Sequence, residues 1–397
     1  MTYQDVLNFC EEQDVRFIRL CYFDVFGKQK NVSVLPSELS RAFEQGISFD
    51  ASAIDGFLDE VHSDLFLHPD PNTMCILPWR SIDGSVIRMY CDIKYPDGRI
   101  FERDVRYILK QSIKKAKDMG FTINFGSEFE FYLFKLDDNG ENTNIPLDNA
   151  GYMDIAPEDK GENVRREICF TLEEMGIYPE VSHHEVGPGQ NEIDFRYSDA
   201  LQAADDAATF QWVVKTVADA NGLYADFSPK PLEEYPGNGM HINMSIDKHE
   251  EYILSFMAGI LARMKELTLF LNPSEKSYLR FGKDKAPQYI TWSYENRSQL
   301  VRIPATHASS RMELRSPDCT CNPYLAYALL IEAGLEGIEK KLEIPQAVDI
   351  NLFHANESIT SLLEPLPQNL EQAKVFAKNS SWIAKLINES ILDAYTK

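Results

Sequence analysis

Four short segments of this 397-residue chain alternate polar with apolar side chains in a way that gathers carboxylates. In FTINFGSEFEFYLF, residues 121–134, strict alternation puts Glu128 and Glu130 on one face of a strand, with Phe129, Phe131 and Leu133 on the other. In VSHHEVGPGQNEIDFRY, Glu185 and Glu192 flank a Gly187-Pro188-Gly189 turn, and Glu192, Asp194 and Arg196 alternate with Ile193, Phe195 and Tyr197. GNGMHINMS, residues 237–245, sets His241, Asn243 and Ser245 opposite Met240, Ile242 and Met244. RMELRSPD, residues 311–318, sets Arg311, Glu313 and Arg315 against Met312 and Leu314, and the preceding ENRSQLVRIP adds Arg297 and Arg302. Taken singly, these segments read equally well as a solvated sheet face, a turn, a core histidine and an ion-pair ladder. Together, five glutamates and one histidine form an oxygen-rich ligand set that suits Mg²⁺ or Mn²⁺ better than zinc. Five negative charges call for more than one divalent ion. The clustered arginines suit a polyanion such as a nucleoside triphosphate, whose transferring phosphoryl group a guanidinium neutralises. Metal-assisted phosphoryl transfer is therefore the expected chemistry, without a Walker A loop or kinase-like motifs.

The elements that must hold these residues follow from periodicity and turn signals. RFIRLCYFDV and KNVSVL read as a hairpin around Phe26-Gly27-Lys28. After a turn cluster at residues 95–98, DVRYILKQSIKKAKDMG carries apolar residues at helical spacing and stops at Gly120. Further helices are expected over 162–175, 199–221, 249–270 and 322–340, and from 368 onward. The strands are polar on one face rather than continuously apolar, which predicts an α+β fold and not a doubly wound parallel sheet. A boundary near residue 98 would divide a small N-terminal domain, 1–98, from a larger domain, 99–397.

Composition narrows the function. With 39 Lys+Arg against 62 Asp+Glu the formal charge is −23, which excludes a basic nucleic-acid binder. The chain shows no basic-then-apolar leader and no run long enough to span a membrane, so a cytoplasmic protein is expected. Seven scattered cysteines without a CxxC pair read as free thiols in a reducing compartment.

These motifs together make the chain resemble the glutamine synthetase family from about residue 15 to about 340. SFDASAIDGF and LHPDPNTMCILPW look like its N-terminal domain, GSEFEFYLF and HHEVGPGQNEIDFRY like its metal strands, and SPKP and GNGMHINMS like its glutamate and nucleotide segments. ENRSQLVRIP and RMELRSPD look like its phosphate and metal elements. The resemblance implies a small β-grasp-like domain, a catalytic domain with a curved antiparallel sheet flanked by helices, and a homo-oligomeric ring, hexamer or dodecamer, whose sites form between neighbouring subunits. It implies ATP and two or more Mg²⁺ or Mn²⁺ ions per site, with Glu130, Glu185 and Glu192 holding one ion and Glu128, His241 and Glu313 the other. Arg280 and Arg315 fall on positions that contact the substrate carboxylate or transferred phosphoryl group, with Gly237 and His241 beside them. Arg297, Arg302 and Arg311 fall on ATP-phosphate positions, and Glu180, Tyr197 and Ser245 on nucleotide-side positions. Asp50 and Tyr152 match the ammonia pocket. The implied reaction is ATP-dependent ligation of glutamate to ammonia or an amine through γ-glutamyl phosphate.

Three positions depart from the family pattern. Lys285 stands where a flap glutamate would take a proton from ammonium, and a lysine would repel that cation. Ala53 replaces a serine, and Pro236 an asparagine in the glutamate segment. These changes leave ammonia or an organic amine open as the acceptor, with Asp284 as a candidate replacement base. They also leave two alternatives: a ligase for a different carboxylic acid, and a non-catalytic ring-forming sensor.

Overall fold

The computed structural model describes residues 1–80, 84–305 and 310–397. An N-terminal sheet comprises β1 (Val15–Phe23), β2 (Gln29–Val34), β3 (Ile47–Asp50), β4 (Asp64–Pro69), β5 (Cys75–Ile76) and β6 (Ser85–Lys94). Its order is β2-β1-β6-β4-β3, with β5 beside β6. β1 runs parallel to β6 at its centre and the remaining pairs are antiparallel. The expected hairpin joins β1 to β2: the Asp24 carboxylate accepts from the Phe26 and Lys28 amides at 3.0 and 2.9 Å, closing the turn.

Ten strands form the second sheet: β7 (Ile123–Leu136), β8 (Asn142–Pro146), β9 (Pro179–His184), β10 (Gln190–Phe195), β11 (Ser198–Asp199), β12 (Leu223–Asp226), β13 (Met240–Ile246), β14 (Trp292–Tyr294), β15 (Val301–Ile303) and β16 (Met312–Leu314). The path β14-β15-β16-β13-β7-β10-β9 is antiparallel except for β14 and β15. At 14 residues β7 is the spine: β13 and then β12 pair along one edge, and β11, β10 and then β8 along the other.

Period-2 patterning decides which face of this sheet is apolar. Phe129 and Phe131 point to the side where Phe210 packs, with the Phe129 and Phe210 rings 4.8 Å apart. Phe210 belongs to α5 (Ala200–Ala220), one of the longer helices, with α3 (Val105–Asp118), α4 (Glu162–Glu174), α6 (Ile253–Leu271) and α7 (Pro323–Glu339). α5 is capped by Asp199, which accepts from the Leu201 amide, and α7 by Asn322 ahead of Pro323. α6 and α7 cross closely: a Cβ on Gly259 would lie 2.1 Å from the Ala333 carbonyl oxygen.

These helices lie within a residue or two of the expected spans, except that α6 begins at Ile253 after a 3₁₀ turn over Glu250–Tyr252. Three helices have no counterpart among the expectations: two short ones, Leu39–Glu44 and Glu357–Thr360, and a longer one at the N-terminus. α1 (Tyr3–Glu12) is set by a capping box between Thr2 and Asp5 and buries only Val6 and Cys10, too sparse a pattern to register as a periodic stripe. The fold is α+β, as expected. Among the described residues no helix is long and apolar enough to cross a membrane.

Candidate active site

The polar face of the second sheet floors a cavity of about 430 Å³. Register brings its acids together. Across β7 and β10, Glu130 lies opposite Glu192 and Glu128 opposite Asp194. Across β7 and β13, His241 lies opposite Glu128, and across β13 and β16, Asn243 lies opposite Glu313. Seven carboxylates and seven cationic side chains line the cavity, the acids mostly from the strands and the cations mostly from the loops that overhang them.

Glu128, His241 and Glu313 each present a ligand atom within 4.8 Å of the others. The His241 Nδ1 lies 3.1 Å from Glu128 and the Asn243 amide donates to Glu128 at 2.8 Å. Burial raises the Glu128 pKa, but these hydrogen bonds and the His241 and Arg315 charges outweigh it and hold the carboxyl at about 2. Glu313 is fully buried between the guanidinium groups of Arg302 and Arg315.

A second set joins His183, Glu185 and Glu192, and a third joins Glu128, Glu192 and Asp194. Shared Glu128 and Glu192 link all three into one trough. Glu130 lies opposite Glu192 but falls in none of these sets, and the Gly239 amide donates to one of its carboxylate oxygens at 2.7 Å. His183, which was not among the expected ligands, joins Glu185 and Glu192 instead of it in this grouping. Nothing in the local pattern singled His183 out from His184; the signal is pairing, which sets His183 opposite Glu192.

The electrostatics of this trough bear on how it suits divalent cations. Burial pushes Glu192 well above the usual carboxylate range, reinforced by the charges of Glu130, Asp194 and Glu128. Burial and Glu128 push Asp194 up to about 8, and burial with Glu185 nearby raises Glu130. Buried carboxylates of this density stay ionised only with cations among them and otherwise take up protons. Arg302 and Arg315 are committed to Glu313, on one side. An all-oxygen trough with two imidazoles at its ends fits Mg²⁺ or Mn²⁺.

Among the arginines, Arg297, Arg302, Arg311 and Arg315 all reach the cavity, and Arg311 donates to the Asn243 side-chain oxygen at 3.0 Å. Arg280, 4% exposed, is held by the Ser316 carbonyl at 3.0 Å. It runs so close to the backbone that a Cβ on Gly237 would lie 2.6 Å from its Cγ, and one on Gly239 2.9 Å from its Nη2. The two glycines therefore admit Arg280 of the same chain.

Tyr152 lines the cavity mouth, half exposed, with its ring 5.4 Å from that of His183. Over the mouth lies the turn carrying Lys283, Asp284 and Lys285, the last two in the left-handed region at φ 46° and 67°. Asp284 is paired at 3.3 Å with Lys230, itself buried and donating to the Tyr235 carbonyl. Gln190, also unanticipated, ties the Gly237 carbonyl to β10 at 3.2 Å.

Four expected site residues lie outside the cavity lining. Asp50 ends β3 and accepts from the Ser52 amide and hydroxyl at 2.9 and 2.7 Å. Glu180, Tyr197 and Ser245 lie farther along the same sheet, on β9, just beyond β10 and on β13. Glu180 still adds to the charge that raises Asp194.

Comparison with known proteins places this geometry. Residues 14–96 match the family described as "Glutamine synthetase, beta-Grasp domain" and residues 102–397 the one described as "Glutamine synthetase, catalytic domain". The chain is 43% identical to the glutamine synthetase of Methanosarcina mazei, over 99% of this chain and 92% of that one. It is 44% identical to that of Staphylococcus epidermidis, over 96% and 90%. Among solved structures, GmaS in complex with ADP superposes with a TM-score of 0.89 at 28% identity, covering 99% of this chain and 94% of that one. The cryo-EM structure of Plasmodium falciparum glutamine synthetase, 23% identical, shares the fold with a TM-score of 0.86.

Proposed function

The chain belongs to the glutamine synthetase family and is an ATP-dependent ligase, and on that premise we propose that its cavity joins L-glutamate to ammonia or a small organic amine through γ-glutamyl phosphate. The observation that carries this reading is the trough of strand carboxylates faced by five arginines across one cavity of about 430 Å³. A trough of acids alone would bind cations; arginines opposite it add the means to hold a phosphate chain between the two.

In this reading Glu185 and Glu192, with Glu130 and His183 beside them, hold one divalent ion, and Glu128, His241 and Glu313 hold a second. When bound, such ions polarise phosphoryl oxygens and screen the γ-carboxylate of glutamate from the phosphate it attacks. The chain's own groups do the rest. Arg297, Arg302 and Arg311 hold the ATP phosphates, and Arg315 meets the charge that develops on the phosphoryl group in flight. Arg280 and the backbone at Gly237 receive the amino acid, and Tyr152 walls the mouth through which the amine enters. Glu180, Tyr197 and Ser245 mark the adenosine end of the sheet. That GmaS, which shares this fold, is described in complex with ADP supports an adenine nucleotide as a ligand of this chain.

Asp50 completes the amine pocket of a neighbouring subunit in a homo-oligomeric ring; its place outside this chain's cavity supports a site assembled from two subunits. A division near residue 98 between the two sheets and a cytoplasmic location, with all seven cysteines free, complete the proposal. Lys285 at the mouth, where an acid would take the proton from ammonium, leaves ammonia or an organic amine open as the acceptor.

The test is phosphate release from Mg-ATP and L-glutamate by the purified protein, with ammonium and a panel of mono- and diamines as acceptors and products identified by mass. A γ-glutamyl product with any acceptor supports the reading. No phosphate with glutamate, but turnover with another dicarboxylate, would replace glutamate as the acid. That outcome would point to Pro236, whose carbonyl is fixed by the Tyr132 hydroxyl at 2.7 Å.

A further inference from the structure

Behind the cavity wall, Asp148 and His184 form a pair with buried side chains, bonded to the main chain of Glu185 and Gly189. His184 is fully buried. Its Nε2 lies 2.9 Å from the Asp148 carboxylate and its Nδ1 2.6 Å from the Glu185 carbonyl oxygen. Both ring nitrogens thus face oxygens that only accept, and the ring is locked between them. Asp148 collects three further donors, the amides of Gly189 at 2.9 Å, Lys160 at 2.9 Å and Ala150 at 3.3 Å. The His184 carbonyl in turn accepts from the Met153 amide at 2.9 Å, next to Tyr152.

Two carboxylates and a histidine in one place could themselves suggest a metal site, since Asp159 lies near Asp148 and His184. Asp159 is already occupied: Arg165 donates to both of its oxygens, at 2.6 and 3.2 Å. The group is a framework. It ties the Gly187-Pro188-Gly189 turn, the main chain of Glu185 and the loop bearing Tyr152 to one carboxylate.

Resting on the reading that Glu185 holds a divalent ion, we propose that Asp148 and His184 are positioning residues that aim Glu185 and couple it to the Tyr152 loop. They touch no substrate. Fixing the backbone of Glu185 at its carbonyl limits where its carboxylate can go, and partners of this kind typically change metal affinity by about 10–100-fold when removed.

The experiment is Mn²⁺ binding to the metal-free, full-length protein, followed by the EPR signal of the free ion. For Asp148→Asn the expected result is that one class of Mn²⁺ weakens by about 10–100-fold while the class at Glu128, His241 and Glu313 keeps its affinity. His184→Gln, which retains a single donor, should weaken the same class less. Two unchanged classes, or equal weakening of both, would overturn the pairing. Wild-type protein that takes up no Mn²⁺ would instead sink the ligase reading and the pair with it. Should neither variant fold, hydrogen exchange of the wild type decides. Residues 148–161 and 184–190 should gain protection together on adding Mn²⁺, and protection confined to 184–190 would remove the coupling.

Discussion

The ammonium of Lys285 stands 5.0 Å from the centre of the Tyr152 ring, so the aromatic face at the cavity mouth is already covered by a cation. An incoming ammonium ion would meet like charge where an acid would attract it and take its proton. Asp284, the adjacent acid, is turned toward Lys230. Lys285→Glu should therefore raise kcat/KM for ammonium by about tenfold over the wild type, and the gain should shrink as salt screens the exposed side chain. Phosphate release at low and high ionic strength measures both effects. An unchanged kcat/KM would mean the amine enters elsewhere.

Glu313 offers a second test, because it serves two roles at once: it neutralises Arg302 and Arg315 and shares a ligand set with Glu128 and His241. Glu313→Gln keeps the shape but removes the charge, leaving two guanidiniums facing a neutral amide. A fall in kcat of about 10²–10³-fold, with assembly unchanged by gel filtration, is the expected outcome. If kcat held and only the KM for ATP rose, Glu313 would be an arginine tether and no more.

Much of this site was legible because β-strand alternation is a hard constraint. Glu128 and Glu130 had to share a face once Phe129 and Phe131 were buried, and the same logic fixed His241 with Asn243 and Arg311 with Glu313. What alternation cannot give is register. That Glu130 of β7 and His183 of β9 both lie opposite Glu192 of β10 is a matter of register, and one residue of slip would exchange the faces. The pairing of Lys230 with Asp284 was equally invisible, since 54 residues separate them. Asp50 was legible as a motif residue and still lies outside this chain's cavity, at the end of β3 in the N-terminal sheet.

A third prediction concerns pH. Burial raises Asp206, on α5, to about 7, against its hydrogen bond from Gln202 at 2.7 Å. Below the ordinary carboxylate pKa both folded and unfolded states carry the proton, and the residue costs nothing. As pH rises from about 4 to 7 the unfolded state ionises first, so folding loses stability, and above 7 the loss is complete. Asp206→Asn removes it. Thermal melts should show the variant and wild type nearly matched at pH 4.5 and the variant more stable at pH 8, by roughly 1–4 kcal/mol. A constant difference across that range would show that Asp206 titrates normally.

The last prediction concerns what joins the N-terminal sheet to the catalytic helices. Arg106, at the start of α3 and 1% exposed, reaches Asp205 of α5 at 2.9 Å, Asp70 at 3.0 Å and Asp92 of β6 at 3.2 Å. The Tyr324 hydroxyl of α7 donates to the same Asp205 at 2.6 Å. One guanidinium thus holds three carboxylates, and among the described residues Lys110 shares the load, at Asp92 at 2.6 Å and at Asp70 at 4.0 Å. Removing the cation strands buried acid, which typically costs about 3–5 kcal/mol, whereas removing charge from both sides costs far less. Arg106→Met should therefore destabilise the protein strongly, and Arg106→Met with Asp205→Asn should recover part of the loss, a non-additivity that denaturant unfolding measures directly. Simple addition of the two single effects would mean that the domains are held by their apolar contacts, such as Phe23 against Tyr324 at 4.7 Å, and not by this charge network.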